Sequence, residues 1–181
     1  MRTILTLHPS SRCAAVSAIE VEAERRGAGV LALRYLVTGD MDGVVLPPPA
    51  APVRTDELWR HTCFEAFVGA PDRATYDEVN LAPSGQWAAY RFDGYRQGMT
   101  PLEPFTPPGT EARRTGRGLE LSATLHLDGL IAGSPWRLGL SAVIEEAGGQ
   151  ISYWAAAHPA GRPDFHHRDG FAVELPWTGR P

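Results

Sequence analysis

Residues Leu58 to Tyr95, LWRHTCFEAFVGAPDRATYDEVNLAPSGQWAAYRFDGY, decide how this chain is read. The stretch divides into three short aromatic runs joined by two turns. In the first run Phe64, Ala66 and Val68 alternate with Cys63, Glu65 and Phe67. Ala70-Pro71-Asp72-Arg73 then supplies a turn. From Tyr76 to Leu81, Val79 and Leu81 point one way while Tyr76, Glu78 and Asn80 point the other. Ala82-Pro83-Ser84-Gly85 places Pro and Gly where a tight turn needs them. Trp87 to Phe92 alternates again, with Ala88, Tyr90 and Phe92 against Trp87, Ala89 and Arg91. A period of two is the mark of a strand.

The same alternation extends in both directions. Ile19, Val21 and Ala23 oppose Glu20, Glu22 and Glu24, and Val30 to Val37 follows after Arg25-Arg26-Gly27-Ala28-Gly29 as the second arm of a hairpin. Leu119, Leu121, Ala123, Leu125 and Leu127 face in, with Glu120, Ser122, Thr124 and His126 facing out. Trp136 to Glu145 repeats this, Gly148-Gly149 turns the chain into Ile151 to Ala155, and Phe171 to Leu175 is a last strand. Residues 1–12 read as a lead-in. Val44 to Val53, with its PPPAAP run, and Gln97 to Gly118 read as connections, with Arg113, Arg114 and Arg117 in a solvated loop. A short helical turn is expected within 124–133. Eight to ten short strands with few helix signals predict an all-β chain, a single antiparallel β-sandwich spanning residues 1–181 as one domain.

Composition narrows the function. The chain has 181 residues and a net charge of -4, which argues against a phosphate-backbone partner such as nucleic acid. Its 17 basic side chains are all arginine, so Schiff-base chemistry through lysine is excluded. Cys13 and Cys63 form no metal-type spacing. Neither a signal-type apolar run nor a membrane span is visible, so a cytoplasmic location with no membrane partner is expected.

Trp59, Glu65 and Phe67, then Tyr-x-Glu-x-Asn-x-x-Pro-x-Gly at Tyr76, Glu78, Asn80, Pro83 and Gly85, then an aromatic strand, resemble the DOMON-like superfamily, to which family 9 carbohydrate-binding modules belong. The run YWAAAHPAGRPDFHHRDGF from Tyr153 to Phe171 is similar to the ending of a small bacterial DOMON-like group. The resemblance implies an immunoglobulin-like or jelly-roll sandwich that binds without catalysis, sugars in some members and b-type haem in others. It also implies stacking of a sugar on tryptophan rings.

Two clusters carry chemistry. Glu65, Glu78, Asn80 and Arg91 lie at alternate positions of consecutive strands, and convergent polar groups beside apolar walls mark binding sites. Trp87 and Trp154 are the candidate stacking surfaces. His158, Asp164, His166 and His167 form the second cluster, in a loop marked by Pro159, Gly161 and Pro163. His158, Asp164 and His166 are expected to cap the sheet face as a lid. The resulting reading is a non-catalytic module that binds a saccharide or other small polar metabolite on an inner or concave sheet face, with no cofactor. Alternatives stay open: a hydrolase using either the His158–His167 loop with a divalent metal or Glu65 and Glu78 as acid and base, a haem-binding domain, and a protein-interaction domain or homodimer.

Overall fold

The computed structural model describes residues 1–127 and 134–177. Its strands are β1 (Arg2–Leu7), β2 (Val16–Arg26), β3 (Val30–Gly39), β4 (Cys63–Gly69), β5 (Tyr76–Leu81), β6 (Trp87–Phe92), β7 (Thr100–Pro101), β8 (Gly109–Thr115), β9 (Gly118–His126), β10 (Trp136–Glu145), β11 (Ile151–Ala155) and β12 (Val173–Leu175). Short 3-10 turns cover Met41–Gly43, Leu58–Arg60 and Arg168–Gly170, and no α-helix occurs among the described residues. The strand ladders are antiparallel throughout.

The strands follow one hydrogen-bonded path, β7-β6-β5-β4-β10-β11-β1-β2-β3-β9-β8, with β12 attached to the start of β10. The path bends at β1. Arg2 to Leu5 pair with β2, whereas Thr6 and Leu7 pair with β11. One short strand therefore serves two half-sheets, and the sheet curls into a half-barrel. Inward side chains of both halves meet in a single cluster. Ile19, Val21, Leu33, Tyr35 and Leu121 come from one half, and Phe64, Val79, Leu138 and Leu140 from the other. Burying side chains of this size contributes about 1.5–3 kcal/mol each, which is what holds the curl closed. Tyr35 adds a polar link, its hydroxyl donating to the Glu65 carbonyl at 2.8 Å while its ring lies 5.0 Å from Phe64.

The two halves differ on their outer faces. β2, β3 and β9 alternate buried and less buried residues, and their outer rows form an ion ladder, Glu22–Arg34–Glu120–Arg113, open to solvent. In β4 and β5 every residue is buried, so both faces are covered.

The all-β, antiparallel expectation holds, with three differences. Residues 2–7 are a strand and not a lead-in; only Leu5 in it is buried, so no apolar row announced it. The connection 97–118 contains β7 and β8, and Arg113 and Arg114 lie on β8 and not in a loop. β8 has no buried residue and is held by its backbone pairing to β9 and by ion pairs from Arg113 to Glu120 and Arg114 to Asp42. Of the helical turn expected within 124–133, residues 124–126 belong to β9, and 128–133 lie outside the described residues.

Replacing Tyr35 by Phe keeps the ring and removes the link to Glu65 across the core. A buried hydrogen bond of this kind is worth about 1–2 kcal/mol. The Tyr35→Phe protein should lose that much in a urea titration, through a lower midpoint at an unchanged slope.

Candidate functional site

The outer face of β4, β5 and β6 is built by register. Ser141 of β10 stands opposite Glu65, Glu65 opposite Asn80, and Asn80 opposite Ala88. In the next row Gly139 stands opposite Phe67, Phe67 opposite Glu78, and Glu78 opposite Tyr90. The two glutamates and Asn80 thus share a face, with Phe67 and Tyr90 flanking Glu78. A solvated face would be ordinary for these side chains. Here Glu65, Glu78 and Asn80 are all buried, because other segments lie over them. Leu58, Phe165 and Phe171 pack on Phe67, Tyr76, Tyr90 and Phe92 as a second apolar cluster. Gly139 leaves room for Phe67 on the facing strand, since a Cβ there would sit 3.3 Å from the Phe67 Cβ.

The covering segment, residues 156–171, is fastened by polar contacts. His166 is inserted between Phe67 and Phe92, with ring centroids at 5.1 and 5.0 Å. Its Nδ1 meets the Tyr76 hydroxyl at 2.8 Å, and that hydroxyl accepts from the Arg96 backbone N–H at 3.3 Å. With the phenol as donor to Nδ1, the imidazole proton sits on Nε2, which lies 3.7 Å from a Glu78 carboxylate oxygen. Asp164 accepts from the Tyr95 hydroxyl, from Arg96 Nη2 at 2.8 Å and from the His166 backbone N–H at 3.1 Å. Burial works against this carboxyl, yet the bonds from Tyr95 and Arg96 hold it below the usual carboxylate range.

Beneath this cover the electrostatics are unbalanced. Asn80 Nδ2 donates to Glu78 at 2.7 Å and Ser141 Oγ donates to Glu65 at 3.2 Å. Neither glutamate has an arginine partner among the described residues. By contrast Asp77, on the other face of β5, receives a bidentate pair of bonds from Arg91 at 2.7 and 2.8 Å. Burial, then the charge of Glu78, raises the Glu65 carboxyl to about 8. Burial raises Glu78 to about 6. His166 is pushed down to about 4 by burial and by Arg96, so it is neutral at physiological pH. The Asn80 side-chain oxygen is buried and meets no donor among the described residues.

The structure therefore brings Glu65, Glu78, Asn80 and His166 together, with Asp164 as a tether of the cover. It separates the rest. Arg91 and Trp87 point to the opposite face, as the period of two demands, and so do not join the carboxylates; Arg91 is engaged with Asp77, and Trp87 donates to the Pro52 carbonyl at 3.1 Å. Trp154 is in the main core, its indole donating to Ser152 Oγ at 3.1 Å, and offers no stacking surface. His158 anchors the far end of the covering segment. Its Nε2 donates to the Thr6 carbonyl at 2.8 Å and its ring meets the edge of His8. His167 turns to the Asp169 backbone N–H at 3.3 Å. No three His, Cys, Asp or Glu side chains converge as a metal-holding group among the described residues. Two surface grooves lie apart from the buried cluster, one of about 710 Å³ along Arg2, Glu22, Arg34 and Ser122, the other of about 590 Å³ between Trp87, Glu103 and Phe105. Tyr76 and Ser141 were readable as members of the outer rows of their strands. Tyr95 and Arg96, in an irregular turn, carried no periodic signal.

The buried groups predict a stability profile. Glu65 is harder to ionise folded than unfolded, so its contribution to stability falls as pH rises from 4.5 to about 8. Glu78 acts likewise from 4.5 to about 6. His166 acts oppositely, since unfolding lets it take a proton below 6.5; its contribution to stability rises from about 4 to 6.5. From 4.5 to about 6 two carboxyls act against one imidazole, so stability falls there; from about 6 to 6.5 Glu65 and His166 offset each other. Between 6.5 and about 8 Glu65 is left alone, and stability should fall by up to roughly 1.4 kcal/mol per pH unit. Thermal melts of Glu65→Gln should lack this decline. An equal decline in the variant would assign it to another group.

No family model matches this chain, and no curated protein matches it. Solved structures do. A Bacteroides uniformis protein provisionally described as carbohydrate-binding superposes with a TM-score of 0.69 at 14% identity, over 97% of this chain and 85% of that one. A family 9 carbohydrate-binding module of Caldicellulosiruptor kristjanssonii, in complex with glucose, gives 0.53 at 13% identity over 95% and 81%. The cellotriose complex of such a module from the same organism gives 0.53 at 14% identity over 89% and 74%. At these identities the likeness shows a shared fold alone: this chain has the architecture of these three structures.

Proposed function

We propose that the chain is a single-domain, DOMON-like β-sandwich module that binds a saccharide or sugar-containing metabolite on the outer face of β4, β5 and β6. The observation that carries this reading is the group formed by Asn80, Glu65 and Glu78. A buried amide oxygen without a donor costs free energy in any fold, of the order of 1–3 kcal/mol. Beside it stand two buried carboxylates without an arginine. Hydroxyl-rich ligands offer the donors these acceptors lack, and Phe67, Tyr76 and Tyr90 supply the apolar walls against which a sugar ring packs. The shared architecture with modules whose structures hold glucose and cellotriose supports the same class of ligand.

Entry to this face requires residues 156–171 to swing away. That segment is held by side-chain bonds, from Tyr76 to His166, from Tyr95 and Arg96 to Asp164, from His158 to the Thr6 carbonyl and from Arg168 to the Pro71 and Arg73 carbonyls, and by the packing of Phe165 and Phe171. His166, Asp164 and His158 act in this reading as lid residues. They hold the cover in its closed form.

Isothermal titration of the protein with soluble oligosaccharides, cellotriose among them, tests the assignment. Glu78→Ala and Asn80→Ala should each weaken binding tenfold or more, where tenfold is about 1.4 kcal/mol. Glu22→Ala and Glu103→Ala, one in each surface groove, should leave it within twofold. A loss confined to either groove variant moves the site there, and a panel with no binding removes the saccharide reading.

A further inference from the structure

The charge arrangement under the cover goes further than a polar site in general. Asp77 shows how this protein neutralises a buried acid, with a bidentate arginine. Glu65 and Glu78 receive nothing comparable. Arg96, whose charge reaches Glu78, is already bonded to Asp164, and the His166 Nε2 atom is 3.7 Å away from Glu78. A ligand hydroxyl can donate one hydrogen bond to such a carboxylate and brings no charge.

Three acceptors are concentrated here. Glu65 faces Asn80 across the β4–β5 ladder, and the Asn80 amide bridges onward to Glu78, leaving its own oxygen without a donor. An ammonium group has three N–H donors and one positive charge. The walls are aromatic, with Phe67 and Tyr90 on either side of Glu78 in the register. Aromatic faces attract an ammonium, whereas a hydrated divalent ion needs a shell of six or more oxygens, roughly, that this surface does not present.

Resting on the saccharide reading above, we infer that the ligand carries a protonated primary amine, as an amino sugar does, and that Glu65, Glu78 and Asn80 Oδ1 receive it. The amine replaces the missing arginine. Specificity follows from what a neutral sugar leaves behind: two acids that must stay protonated or remain uncompensated in a dry site. The hydroxyls of the same ligand are left for the rim of the face, so the amine position selects among sugars of one shape.

A matched set of trisaccharides decides this on the unaltered protein. Cellotriose, the β-1,4 trimer of glucosamine and its N-acetylated form share one backbone and differ at the second carbon of each ring. Titration at a pH where the amine is protonated should give at least tenfold tighter binding for the glucosamine trimer than for the other two. Glu65→Gln and Glu78→Gln, checked for folding by circular dichroism, should each abolish that preference. Equal affinity for cellotriose and the glucosamine trimer overturns the amine assignment and leaves the saccharide reading intact. A rise in melting temperature with calcium chloride, with no response to the glucosamine trimer, overturns it in favour of a metal ion. Binding of none of the three sugars removes both readings.

Discussion

Everything distinctive about this molecule depends on β4 and β5 being covered on both faces. A strand buried on one side can place its charged residues in water at no cost. One buried on both sides has no wet row, and whatever its outer positions carry must be satisfied inside the protein. On the inner face that condition is met by packing. On the outer face it is met only in part, because β4 and β5 together place two acids and an amide there with too few donors around them. The cover formed by Leu58, His166, Phe165 and Phe171 is therefore the element that turns an ordinary polar row into a site.

The cover itself is a compromise between packing and polarity. His166 is neutral and wedged among rings, and it faces Glu78 without reaching it. Its position is set from the surface side, through Tyr76, Arg96 and Asp164. The Tyr76–His166 bond is covered, whereas Asp164 is held by Tyr95 and Arg96 at exposed positions, where water competes for the donors. Such contacts define a closed geometry without making it expensive to leave, which suits a segment that lies over a binding face.

Much of this was legible in the chain. The alternation from Phe64 to Phe92 placed Glu65, Glu78 and Asn80 on one face, and the same rule, followed strictly, puts Arg91 and Trp87 on the other. Grouping Arg91 with the carboxylates overrode the period on grounds of chemistry, and the period prevailed. Trp154 was lost to the core for a related reason, since large aromatic residues on an inward row are packing before they are platforms. β1 and β8 were missed because edge and seam strands are held by backbone pairing, with few or no buried side chains to leave a pattern. Joining the His166 loop to the glutamates was raised from sequence as one arrangement among several. What sequence could not supply was the choice among the histidines, because irregular loops have no period: His166 goes under, His158 goes to β1, and His167 turns back on its own loop.

The seam at β1 has a consequence for how the chain reaches its folded form. Thr6 pairs with Ala155, a separation of 149 residues, while the neighbouring ladder joins residues 2–5 to the hairpin that immediately follows. Loop-closure entropy makes the first ladder the slower of the two, and topologies dominated by such distant pairings fold slowly. During synthesis the β2–β3 hairpin is complete long before β11 exists, so half of β1 waits with its edge unpaired. The β1–β11 ladder, and with it the closure of the curl, can form only once β11 has been made.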